Sequence, residues 1–146
     1  MTHPRTNIRQ AVAQQLQDNI QNVTIFKGRA IPIFDQDIPA ILVYTDHETI
    51  KEERWDTDGC GELTRELDLF VEAIDIGKDE LDDKLDELAQ QIEQALDGWT
   101  VPDKKNAVLR FAETNTSHDI MGDKIYGAVQ LRYTLTYMTE THHNHD

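Results

Sequence analysis

Apolar residues recur along this chain with two periods, and the two periods divide it into helices and strands. From Thr6 to Asn19, Ile8, Val12 and Leu16 stand four residues apart, with Ala11 beside them, Ile20 continuing the stripe, and Gln and Asn on the opposite face. That spacing predicts an amphipathic helix laid on a sheet, with Thr6 as its N-cap. Asp79 to Asp97 has the same character, with Leu81, Leu85, Leu88, Ile92 and Leu96 in a narrow stripe. Asp79 is the expected N-cap of this second helix, Glu80, Asp82 and Asp83 suit the positive end of its dipole, and Gly98 ends it as the C′ residue.

The remaining apolar positions read as strands. Val23 to Phe26 is a short first strand followed by a turn at Lys27-Gly28-Arg29, and Ile31-Pro32-Ile33 is too proline-broken to be more than an edge or loop. Ala40-Ile41-Leu42-Val43-Tyr44 has no polar residue to alternate with, which predicts a strand covered on both faces in the middle of the sheet. Pro39 just before it excludes helix. Leu63 to Asp75 alternates, but Phe70 and Ile74 interrupt its polar side and imply apolar company there. Ala107 to Glu113 alternates briefly, and Tyr126 to Thr139 carries the longest alternation in the chain. Two segments have no period. Asp46 to Gly61 reads as a long functional loop, or else as strand extensions of a long hairpin around Thr49 to Trp55, and Thr114 to Lys124 reads as a connection. The order α-β-β-β-α-β-β predicts an α+β fold: a largely antiparallel or mixed β-sheet with two amphipathic helices packed on one face, its other face polar or available to a partner. Residues 1–140 are expected to form one domain, and 141–146 a flexible His-rich tail.

Composition adds a location for the charge. The net charge of the 146 residues is −14. Asp46 to Asp97 holds nineteen acidic against five basic residues, while the rest of the chain holds nine of each. No basic face for phosphate binding is visible, so a nucleic-acid-binding role is disfavoured; an acidic face repels DNA and can attract a basic protein. The lone Cys60 cannot form an internal disulfide, which fits a reducing compartment. No apolar run is long enough to span a membrane, and the first residues lack the apolar core of a secretory signal. A soluble protein made inside the cell is the expectation.

Candidate chemistry is sparse. Asp35 and Asp37 could converge on a cation, but further ligands at useful spacing are missing. Cys60 lies between two glycines, yet no spacing rule ties it to His47 or His118. His142, His143 and His145 suit adventitious metal binding at a terminus. Gly28-Arg29 is flanked by strands and is no phosphate cradle; Arg29 is better placed as an ion-pair partner of Asp35, Asp37 or a neighbouring subunit. The acidic face of the second helix reads first as a solvated surface. These residues predict no catalysis, no cofactor and no metal.

One ordered set of residues carries a family likeness: Phe26-x-Gly28-Arg29-Ala30, then Phe34-Asp35-x-Asp37-Ile38-Pro39-Ala40-Ile41, then Val43-Tyr44. It continues with Glu52-Glu53 and Trp55 or Asp56, Glu66-Leu67-x-Leu69-Phe70-Val71, Asp79-Glu80-Leu81-Asp82 and Tyr133-Thr134-Leu135-Thr136-Tyr137. The set covers roughly residues 5 to 139 and resembles the tail terminator proteins of long-tailed bacteriophages, the minor tail protein U group of the phage lambda type. It departs from that type at Ile76-Gly77-Lys78, where the type has a proline-acid pair. The resemblance implies a non-enzymatic virion protein assembled in the host cytoplasm, which forms a homohexameric ring on the tail tube, ends tube polymerisation and offers a surface to the head-completion protein. DNA would pass through the ring without specific binding, and no membrane is involved. Arg29, Asp35, Asp37, Glu52, Glu53, Arg54, Trp55, Asp79 and Asp82 are the resulting candidates for contacts between subunits or with the tube. The alternative reading is an acidic adaptor that captures a basic protein.

Overall fold

Two long hairpins build most of the sheet. The computed structural model describes residues 3–30, 33–57, 59–102, 104 and 107–142. In chain order it contains α1 (Pro4–Asn19), β1 (Thr24–Lys27), a 3-10 turn (Asp35–Asp37), β2 (Ala40–Trp55), β3 (Cys60–Gly77), α2 (Leu81–Leu96), β4 (Val108–Met121) and β5 (Lys124–His142). The strands lie in the order β1-β2-β3-β5-β4. β1 runs parallel to β2, and every other pair is antiparallel, so the sheet is mixed and the fold is α+β. The expected Ile31 and Pro32 and the end of the His-rich tail, 143–146, lie outside the described residues, while β5 itself runs on through His142.

Both helices cover one face. Ile41 and Val43 of β2, Leu67, Leu69, Val71 and Ala73 of β3, and the odd-numbered residues from Val129 to Tyr137 of β5 point into a single core. Ile8, Val12 and Leu16 of α1 and Leu81, Leu85, Leu88, Ile92 and Leu96 of α2 meet them there, as the helical stripes predict. Alternation on β3 and β5 places these residues on one side of the pleat. α1 lies over β1 and β2, and α2 over β3 and β5; β4, the outer strand on the other edge, is left bare. Gly127 sits directly beneath α2, where an added Cβ would come within 2.7 Å of Leu85. That close approach sets how deeply the helix seats.

Several boundaries differ from the sequence expectation. α1 begins before Thr6: its cap is His3, whose Nδ1 accepts from the Arg5 N–H at 3.0 Å. Pro4 is therefore the first helical residue, a position where its missing N–H costs nothing. α2 is capped at Glu80 rather than Asp79, and the Glu80 carboxylate accepts from the Lys78 N–H at 3.3 Å. Gly98 does follow the helix with φ 69°, as a C′ glycine should. The Ala40–Tyr44 run is buried throughout, but β2 is the second strand of five and β3 is the central one.

Both segments without a period are strands. Asp46 to Trp55 extends β2, with register irregularities between Thr45 and Glu48 and between Ile50 and Glu52, which realises the long-hairpin alternative and not the loop. Thr114 to Met121 extends β4, pairing through to Met121 opposite Lys124. Its hairpin closes with the two residues Gly122 and Asp123, Gly122 having φ 68° at the first central position, as a type II′ turn requires.

Candidate functional site

The helix-covered face ends differently at its two flanks. On the β2 flank, α1 brings Arg5 against Glu48, which stands between the two irregularities of β2. The Arg5 guanidinium lies 2.6 Å and that of Arg65 3.2 Å from the Glu48 carboxylate, whose side chain is only 12% exposed. Tyr137, fully buried on β5, donates its hydroxyl to the same carboxylate. Burial alone would raise the Glu48 pKa; the Tyr137 hydrogen bond and the charges of Arg5 and Arg65 outweigh it and hold the carboxyl below its ordinary value. Burial first, and then the nearby Glu48, pushes the Tyr137 phenol up to about 12. A part-buried carboxylate with two cations and a phenol is well compensated, so this flank is closed.

On the opposite flank β4 is exposed along nearly its whole length. Between the C-terminal half of α2 and β4 runs a groove of about 710 Å³, lined by Asp86, Glu93 and Asp97 from the helix side and by Leu109, Phe111 and Tyr133 from the sheet. Phe111 is 45% exposed and its ring stacks on that of Tyr133 at 5.1 Å. Tyr133 is 4% exposed, and its buried hydroxyl has no hydrogen-bond partner among the described residues. Burial raises its pKa, and the charges of Glu93 and Asp97 raise it further. The outer side of β4 pairs, among the described residues, only through a bridge of Val108 with Thr100. The rest of this long edge faces outward.

The second face of the sheet receives Arg29 and Asp35 from the connection between β1 and β2. Arg29 does not pair with Asp35 or Asp37 there; its guanidinium lies 5.0 Å from the centroid of the Tyr44 ring. Tyr44 in turn stacks on Phe70 at 5.3 Å, the apolar company that Phe70 implied. The Tyr44 hydroxyl donates to Glu72 at 2.8 Å and accepts from Gln130 at 2.6 Å. Asp35 reaches across to β5, accepting from Lys124 and from the Tyr126 hydroxyl at 2.7 Å. The hydrogen bond from Lys124 chiefly holds the Asp35 carboxyl below its ordinary value. Asp37 accepts from the Phe34 N–H at 3.0 Å, which closes the 3-10 turn.

The structure separates the contact candidates into two groups. Glu52, Glu53, Arg54 and Trp55 form the exposed distal end of β2, where Trp55 stands opposite Gly61. An added Cβ on Gly61 would come within 2.6 Å of the Trp55 ring, so this glycine is what lets the indole lie across the strand. Asp35, Asp37, Asp79 and Asp82 lie toward the other end, where Gly77 pairs with Ile125. Asp82 holds His118 of β4 at 2.7 Å. β3 joins the two ends and at about 3.3 Å per residue spans roughly 55 Å. Lys84 donates to the Ile76 carbonyl at 2.7 Å and neutralises the buried Asp75 at 3.4 Å. Among the described residues no group of three or more His, Cys, Asp or Glu is placed to hold a metal ion. Among the described residues no helix is long and apolar enough to cross a membrane.

Sequence reasoning missed the Glu48–Tyr137 network and the groove at Tyr133. Both tyrosines occupy core positions of one alternating strand, and only the tertiary packing distinguishes a satisfied hydroxyl from an orphaned one. No curated protein matches the chain. The family model of phage minor tail protein U matches residues 3–137, most of the chain, and the protein therefore belongs to the phage minor tail protein U family, a family of structural components of the virion tail.

Proposed function

We propose that this protein is a tail terminator: a non-catalytic ring, six subunits around, that caps the tail tube, stops its polymerisation and presents a surface for head joining. The family match over residues 3–137 is the observation that carries this reading. The shape of the subunit supports it. Its contact candidates stand at opposite ends of one long strand, with Glu52 to Trp55 at one and Asp35, Asp37, Asp79 and Asp82 at the other. A subunit built this way can meet the tube at one end and the head-completion protein at the other, while Arg29 and the crossover loop serve contacts between neighbours. With the excess acidic charge lining the passage, the ring would not trap DNA, because like charge repels the phosphates.

Electron microscopy of tails assembled with and without the protein tests the role. Tubes of uncontrolled length, without heads, are expected in its absence. Tails of normal length carrying heads would overturn the reading.

A further inference from the structure

We infer that the groove between α2 and β4 is a docking site for an arginine-bearing extended segment of a different, basic protein. Three features of the groove specify that occupant. Its rim carries Asp86, Glu93 and Asp97, with no basic side chain among its lining residues. Its floor offers the half-exposed ring of Phe111 beside Leu109. Tyr133 also lines the groove; 96% of its surface is buried, and its hydroxyl lacks a partner among the described residues. A buried phenol left unsatisfied is destabilising until a partner arrives.

Arginine meets all three features at once. Its planar guanidinium forks onto carboxylates, as Glu93 and Asp97 require, and stacks on an aromatic face, as Phe111 provides. Its aliphatic stem covers the apolar surface of Leu109. An N–H lowered between the two carboxylates has the phenolic oxygen of Tyr133 as an acceptor. The extended form follows from β4 itself, an outer strand whose backbone beyond the Val108 bridge points away from the sheet and can receive a further strand. A second copy of this chain is the rival occupant, and the test below separates the two. The groove's chemistry stands apart from the capping role and holds for whichever basic component of the tail or head presents the segment.

A blocked octapeptide of alternating arginine and valine is the probe, titrated against the full chain at about 0.15 M salt, where charge attraction is screened beyond ~8 Å. Glu93→Gln with Asp97→Asn is expected to weaken binding about tenfold. Asp83→Asn with Glu87→Gln removes the same charge from the same helix but outside the groove, and is expected to change affinity less than about twofold. Tyr133→Phe, which keeps the ring, is expected to weaken binding severalfold. Equal losses in the two double variants would reduce the attraction to diffuse charge and overturn the proposal. So would an absence of binding to the wild-type chain. Self-association without peptide that the Glu93→Gln, Asp97→Asn pair abolishes would make a second copy the occupant, and would overturn it as well.

Discussion

The two flanks of the helix layer carry the same kind of residue in opposite states. On the β2 flank, Tyr137 delivers its hydroxyl to Glu48, and α1 closes the site with Arg5. On the β4 flank, Tyr133 sits four residues earlier on the same strand and the same face, yet its hydroxyl has no partner among the described residues and the strand beside it is exposed along nearly its whole length. The difference arises from how far the helices reach. Two helices cover four strands of a five-stranded sheet, so one flank becomes core and the other remains surface. A closed network of this kind serves stability and an open groove serves recognition.

The largest effect is expected where the closed flank is broken. Glu48→Gln leaves two guanidinium groups facing a neutral amide, and should cost about 2 kcal/mol of unfolding free energy by denaturant titration. The same variant should flatten the acid limb of stability. Because the folded carboxyl is held below its ordinary value, the unfolded chain takes up the proton first as pH falls. The stabilisation is thus fully present above the ordinary glutamate pKa of about 4.3 and is lost as pH falls through the folded value. A wild-type acid limb as flat as the variant's would contradict this role for Glu48.

The tyrosine pair gives a smaller and more diagnostic contrast. Tyr137→Phe removes a hydroxyl that Glu48 accepts from and should destabilise by about 1–2 kcal/mol. Tyr133→Phe removes a hydroxyl with nothing to lose and should be neutral, or stabilising by up to about 1 kcal/mol, in the isolated protein. Equal costs for the two would mean that the flanks are not different after all.

The core was more legible in the sequence than either flank. The stripes of α1 and α2, the buried run Ala40–Tyr44 and the alternation around Tyr133 announce themselves because burial on one side imposes a period. Asp46–Trp55 and Thr114–Met121 gave no such signal. Their side chains are largely exposed on both faces, so backbone pairing holds them in the sheet and leaves no apolar period. Gly122-Asp123 was the one local clue, a two-residue hairpin turn hidden in a stretch that reads as a connection. The site was still less legible. Within the chain Arg29 meets neither Asp35 nor Asp37: it lies over Tyr44, while Lys124, distant in sequence, takes Asp35. The groove at Tyr133 depends on where α2 stops and which strand it leaves bare, and no local pattern encodes that.

Amide hydrogen exchange of the protein in isolation and within assembled tails tests the contrast most directly. The outward-facing amides of β4 between 109 and 118 should exchange rapidly in the isolated protein and become protected in the tail, while Ala40 to Tyr44 stays protected in both. Unchanged exchange along β4 on assembly would contradict the account, because it would leave the open flank with nothing to bind.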